Sequence, residues 1–113
     1  MAISIDDIGP ELRRVALSGR LDTPGVDAVE ARFNAAAVPT GRHALVVLSA
    51  VSFVSSMGVR MLVTAARALQ VRNLRMVLIA PQPLVRESLE TMAIGQLIPI
   101  VDDEAAAVAL LQR

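Results

Sequence analysis

The sequence predicts a single α/β domain built on a mixed β-sheet. The chain has 113 residues, which is the size of one domain. The apolar fraction of 54% is high enough for a core of aliphatic side chains and excludes intrinsic disorder. Apolar extended runs alternate with segments of helical periodicity after an initial hairpin, and this order is typical of an α/β domain. We expect residues 1–113 to form this one domain.

The N-terminal third predicts a hairpin followed by a helix. Residues 3–8 carry isoleucines in a short extended segment that ends at the turn signal Gly9-Pro10. Apolar and polar or small residues alternate in Glu11–Ser18, which indicates the second strand. Thr23-Pro24 combines a favoured N-cap with a favoured first helical residue, so we expect the first helix to begin there and to end at Pro39-Thr40-Gly41. Its predicted buried face consists of Val26, Val29, Phe33 and Ala36.

The remainder of the chain predicts three further strand–helix units. Ala44–Leu48 is a continuous apolar run, typical of a strand buried on both faces, and Ser55–Val71 has helical periodicity. The later elements are a strand over Leu74–Ala80, a helix marked by Val85, Leu89 and Met92, a strand over Leu97–Val101 and an alanine-rich helix after Asp102-Asp103-Glu104. The predicted order is therefore β-β-α-β-α-β-α-β-α.

Composition excludes several classes of function. Eleven basic and eleven acidic residues give zero net charge, which argues against a nucleic-acid-binding protein. All the basic residues are Arg, there is no Cys, and His43 is the single His. A Schiff-base lysine, a thiolate nucleophile and a metal site built from Cys or from several His residues are therefore excluded. No Gly-x-Ser-x-Gly or Gly-x-Gly-x-x-Gly motif occurs. We expect a binding protein rather than an enzyme, with no cofactor and no metal.

Targeting and membrane signals are not found in the sequence. The N-terminal segment MAISIDDIG has neither a basic start nor a long apolar run, and no apolar run approaches the roughly 20 residues that cross a bilayer. We therefore expect a cytoplasmic protein without membrane insertion.

The segment Ser49–Arg60 joins a predicted buried strand to an amphipathic helix and is the most informative part of the chain. Ser55 and Ser56 stand where the helix N-cap is expected. An N-cap Ser stabilises a helix by about 1 kcal/mol, and this purely structural role is one interpretation. The other is phosphorylation, because free N–H groups and the helix dipole stabilise an anion at this position.

The helix that follows these serines presents a second candidate binding feature. At 100° per residue, Met57, Met61, Thr64 and Ala68 lie opposite the predicted buried face, and Arg60 and Arg67 flank them. Exposed Met beside Arg is typical of protein-binding surfaces. A second copy of the chain, forming a homodimer, is one partner that such a surface would accept. The alternative is that another layer of the same domain covers the methionines.

Two motifs resemble the STAS domain family, and specifically the bacterial anti-sigma factor antagonists. Leu17–Asp22 is similar to the family's Leu-x-Gly-x-Leu-Asp, and Leu48–Gly58 is similar to its Asp-Leu-Ser-Gly-x-x-Phe-x-Asp-Ser-Ser-Gly. The resemblance extends along essentially the whole chain and implies helices mainly on one face of the sheet. It also implies partner switching. In that scheme the antagonist binds an anti-sigma factor with serine-kinase activity, is phosphorylated on one serine, and is reset by a serine phosphatase.

The resemblance places the phosphorylated serine at Ser56. The family's Asp just before that serine is Ser55 here, and the motif's second serine is Met57, so Ser55 stays open as the acceptor instead. The expected partner-binding residues come from the two motifs and the helix: Asp22, Thr23, Ser55, Met57, Gly58, Arg60, Met61 and Thr64.

Two other functions remain open at this point. The departures at Ser55 and Met57 favour a STAS scaffold that is never phosphorylated, as a subunit of a signalling or lipid-transport complex. An enzyme or small-ligand binder would use polar residues that converge at one end of the sheet, such as Asp22, Thr23 and the two serines. The sequence shows no acid–base pair, metal cluster or phosphate loop that would support this function.

Overall fold

The chain folds into a five-stranded sheet flanked by four α-helices. The computed structural model describes residues 1–112. The strands are β1 (Ala2–Ile8), β2 (Leu12–Leu21), β3 (His43–Val54), β4 (Met76–Ile79) and β5 (Ile100–Val101). The helices are α1 (Thr23–Ala37), α2 (Ser56–Val71), α3 (Pro83–Thr91) and α4 (Glu104–Leu111), with a short 3-10 helix at Ile94–Gln96. This order confirms the predicted alternation of strands and helices.

The sheet is mixed, as predicted. Its strands lie in chain order from β1 to β5. β1 and β2 pair antiparallel across the Gly9-Pro10 turn, whereas all the other neighbouring strands pair parallel. Parallel neighbours need a crossover connection, and α1, α2 and α3 provide one each. The carboxyl ends of β2, β3 and β4 consequently lie at the same edge of the sheet.

The two faces of the sheet are covered unequally. Helices α1, α2 and α3 contribute to one large core cluster, together with sheet residues such as Val15, Val46 and Leu48. Within the part of the chain that the structure describes, α4 is the one helix on the opposite face, where Ala107 joins Leu45, Val77 and Ile79. The expectation of helices mainly on one face is therefore confirmed.

Strand β3 is longer than its sequence pattern predicts. Its predicted end was Leu48, but it continues to Val54. Its pairing with β2 changes register twice, between Ala16 and Ser18 and again between Gly19 and Arg20. Such irregularities break the alternation of buried and exposed side chains. For this reason the second half of the strand has no clear period in the sequence.

Strands β4 and β5 are shorter than the sequence predicts. The strand expected over Leu74–Ala80 forms only between Met76 and Ile79. The strand expected over Leu97–Val101 is reduced to Ile100–Val101, because the chain leaves α3 through the 3-10 helix and buries Ile98 before it reaches the sheet. Ile98 is therefore buried without being part of a strand, whereas Leu97 is 45% exposed.

Candidate functional site

The candidate site lies where the carboxyl ends of β2 and β3 lead into α1 and α2. Leu21 and Val54 pair at the last position of the two strands. The backbone N–H of Ser55 then donates to the carbonyl oxygen of Leu21 over 2.9 Å. This pairing brings the two sequence motifs together, although Leu21 and Ser55 are 34 positions apart in the chain.

The hydroxyl group of Ser55 is fully engaged in the fold. Ser55 is the N-cap of α2, and its Oγ accepts the backbone N–H of Gly58 over 3.2 Å. The same hydroxyl donates to the carbonyl oxygen of Leu21 over 3.0 Å. The side chain is half-buried. Ser55 therefore ties the start of α2 to the end of β2.

Ser56 has the opposite environment. It is the first residue of α2 and is exposed to solvent. Within residues 1–112, its hydroxyl makes no hydrogen bond. The first N–H groups of a helix have no intrahelical partner, and the helix dipole makes this end positive. Ser56 thus offers an accessible hydroxyl at a place that tolerates negative charge.

Gly58 is buried, and its role is close packing. A Cβ atom at this position would lie 2.7 Å from both the Cγ and the carbonyl oxygen of Leu21. The first turn of α2 therefore rests directly against the end of β2. The expectation that Gly58 contacts a partner directly is wrong, because the residue is buried and faces the core.

Asp22 caps α1, and the predicted cap at Thr23 is therefore wrong. The Oδ1 atom of Asp22 accepts the backbone N–H of Gly25 over 2.9 Å, and Oδ2 accepts Nε of Arg20 over 3.2 Å. The Gly25 N–H, and secondly the Arg20 guanidinium, lower the pKa of Asp22 from its ordinary value. Thr23 is instead the first residue of the helix and is exposed.

Arg20 also connects the two strand ends. Its guanidinium carbon lies 4.5 Å from the centroid of the Phe53 ring, within the distance of a cation–π interaction. Arg20 and Phe53 are paired in the sheet register, and the Phe53 side chain is 40% exposed. Arg20 thus joins Asp22 to Phe53 beside the start of α2.

The outward face of α2 is exposed along a strip of four residues: Met57, Arg60, Thr64 and Arg67. Met57 is 41% exposed, whereas Met61 is only 1% exposed. The prediction that Met61 lies on the binding face is wrong. Helix α2 packs against α1 as well as against the sheet, so its buried face is wider than one helical stripe, and Met61 joins the core.

An apolar groove beside the site was not predicted from the sequence. It lies between the end of β3 and α3, has a volume of about 420 Å³, and is lined by Ser52, Phe53, Val54, Leu84, Val85, Glu87, Ser88, Thr91 and Met92. Leu84 is 73% exposed, and Phe53 and Met92 are exposed as well. Helical periodicity in α3 does mark Leu84 as facing away from Val85 and Leu89. The position of α3 beside Phe53 is set by the tertiary fold.

Comparison with known proteins gives a clear family assignment. The model of the STAS domain family matches residues 6–107. No curated protein matches the sequence. Among residues 1–112, no helix combines the length and the apolar character needed to cross a membrane.

Solved structures of similar fold include two forms of the anti-sigma factor antagonist SpoIIAA and one further antagonist. The unphosphorylated form of SpoIIAA has 22% identity and a TM-score of 0.80, and the match covers 98% of this chain and 96% of that one. The phosphorylated form of SpoIIAA from Bacillus has 22% identity and a TM-score of 0.67, with coverages of 97% and 99%. An antagonist from Mycobacterium paratuberculosis has 19% identity and a TM-score of 0.83, with coverages of 99% and 94%. The fold, the two motifs and the family match agree, and the chain belongs to the STAS domain family.

Proposed function

We propose that this protein is an anti-sigma factor antagonist that is controlled by phosphorylation of Ser56. In its unmodified form it binds an anti-sigma factor with serine-kinase activity. That partner phosphorylates Ser56 and dissociates, and a serine phosphatase restores the binding form. The observation that carries the proposal is the exposed, unbonded hydroxyl of Ser56 at the start of α2, where the two family motifs meet.

The contacts of the two serines favour Ser56 over Ser55 as the phosphate acceptor. A kinase needs a free hydroxyl, and that of Ser55 both caps α2 and bonds to Leu21. Phosphorylation of Ser55 would break these contacts and force a bulky dianion into a half-buried position. Ser56 needs no such rearrangement. The family's Asp at the preceding position is replaced by a residue that still serves as the helix cap.

The docking surface in this proposal surrounds Ser56. The exposed strip of α2 provides Met57, Arg60 and Thr64, while Asp22 and Thr23 flank it at the start of α1. The apolar groove extends the surface on the side of β3 and α3. Exposed Met, other apolar side chains and Arg are enriched at protein interfaces.

The phosphate is expected to act on the complex rather than on the fold. A phosphoserine adds about −2 charges at neutral pH. At the first position of a helix, this charge is stabilised by the free N–H groups and the dipole. The isolated domain therefore stays folded, while a docked partner meets a charged group that must be desolvated and that repels the partner's acids. This difference provides a specific test.

The test combines binding and stability measurements on three variants. Tagged wild type, Ser56→Asp and Ser56→Ala are used to recover partners from a lysate of the source cells, and the recovered kinase is then titrated against each variant. We expect wild type and Ser56→Ala to bind and Ser56→Asp to bind at least about tenfold more weakly, a loss of about 1.4 kcal/mol. Ser49→Asp is the matched control, because Ser49 is an exposed serine on β3 outside the site.

Mass spectrometry after incubation with the kinase and ATP identifies the modified serine. Incorporation into wild type and Ser55→Ala, but not into Ser56→Ala, supports the proposal. Equal binding by all Ser56 variants would contradict it and favour a scaffold that is never phosphorylated. Unfolding midpoints of the variants are measured in parallel, so that a loss of binding through unfolding is recognised.

A further inference from the structure

We propose that the outer edge of β1 pairs with the same edge of a second copy, so that two sheets join into one continuous sheet. This inference is independent of the proposed function. β1 lies at the end of the strand order, and within residues 1–112 no element pairs with its outer side. An unpaired edge presents a row of free backbone N–H and C=O groups, which is a template for another strand.

The devices that usually protect such an edge are weak in β1. The strand is seven residues long, contains no Pro, and pairs with β2 without a bulge. Both of its acidic residues lie near arginines of the same chain, although Arg14 bonds chiefly to Glu104, over 2.7 Å. Nε of Arg13 lies 2.7 Å from Asp7, and Nη1 of Arg14 lies 3.6 Å from Asp6. Arg42 adds a further cation 3.8 Å from Asp7, so that the three arginines balance the charges of Asp6, Asp7 and Glu104 at this edge.

One antiparallel register uses the whole strand. Directly opposed residues must share a face of the sheet, so a symmetric pairing is centred on a single residue. Centring on Ile5 pairs all seven residues of β1, whereas centring on Asp6 would oppose two carboxylates. Centring on Ser4 would leave Asp7 and Ile8 without partners in the other strand.

The Ile5-centred register is also chemically complementary. It places Ile5 directly across from Ile5 of the other copy. In the single chain Ile5 is 46% exposed, although Val15, its partner on β2, is buried. It places the Ser4 hydroxyl opposite the Asp6 carboxylate of the other copy, which can accept its hydrogen bond. Cross-strand pairs of this kind are the main stabilising contacts of a sheet. Because seven residues bury a small area, we expect a weak dimer whose population rises with concentration.

Cysteine cross-linking tests the edge and the register together, since the chain contains no native Cys. Directly opposed Cβ atoms are about 4.5–5.5 Å apart, close to the range that a disulfide spans. We expect Ile5→Cys to form a covalent dimer under mild oxidation faster than Ser4→Cys, whose copies are diagonal. Val71→Cys, at a remote and exposed apolar position, gives the rate of random collisions.

Sedimentation of the full chain provides the second measurement. We expect the apparent mass of wild type to rise towards twice that of one chain with concentration, and Ile5→Lys to remove this increase while the circular dichroism spectrum stays unchanged. A wild type that stays monomeric at its highest soluble concentration would overturn the proposal. Cross-linking of Ile5→Cys no faster than that of Val71→Cys, or slower than that of Ser4→Cys, would overturn it as well.

Discussion

The starts of α1 and α2 are built alike but differ in charge. Each helix follows a strand of the sheet and has a polar N-cap. Each also has a buried Gly, three residues after the cap, that packs against the end of β2. The cap of α1 is Asp22, an anion that is paired with Arg20. The cap of α2 is Ser55, which is neutral.

This difference shows why α2, rather than α1, is suited to carry a switch. The positive end of α1 already has a permanent negative charge, so a further anion there would face repulsion. The positive end of α2 has none, and the adjacent Ser56 is exposed. The same capping geometry thus serves a fixed structural role in one helix and leaves the proposed phosphorylation site free in the other.

The largest effect is expected from substituting the buried Gly of α2. Gly58→Ala would bring a methyl group against the backbone oxygen and side chain of Leu21, and overpacking of this kind costs about 1–3 kcal/mol. Urea unfolding measures the loss. Gly95→Ala is the control, since no atom lies within 4 Å of a Cβ placed there. Equal stability of Gly58→Ala and wild type would show that the start of α2 is not packed against Leu21 as described.

A smaller effect is expected from removing the neutral cap. Ser55→Ala loses the hydrogen bond to the N–H of Gly58 and should destabilise the domain by about 1 kcal/mol. Ser56→Ala, one residue further on, should change stability by less than about 0.5 kcal/mol because its hydroxyl is exposed and unbonded. Unfolding midpoints of the two variants separate the structural serine from the free one. A larger loss at Ser56 would reverse their assigned roles.

The smallest effect concerns pH and distinguishes the charged cap from the neutral one. Folding lowers the pKa of Asp22, so its contribution to stability is present above its ordinary pKa and is lost as pH falls through the lowered value. In Asp22→Asn, which retains a capping side chain, stability should therefore fall less between about pH 6 and about pH 3 than in wild type. Ser55→Ala should keep the slope of wild type. Parallel slopes for wild type and Asp22→Asn would contradict a stabilising charge on this cap.

Much of the candidate site could be predicted from the sequence, but the separate roles of its residues could not. The motifs located both serines, and local capping signals placed the starts of α1 and α2 within one residue, because capping depends on near neighbours in the chain. The prediction could not decide between Ser55 and Ser56. That distinction depends on the carbonyl of Leu21, which only strand pairing brings to Ser55.

The sequence by itself determined the order of elements, the first hairpin and the polarity of the helix starts. These features follow from local periodicity, turn residues and caps. Only the tertiary structure decided that Met61 is buried while Met57 is exposed, that β3 continues to Val54, and that α3 forms a groove with Phe53. The physical reason is that burial depends on which other elements cover a residue, and a helix packed on two neighbours buries more than one stripe of its surface.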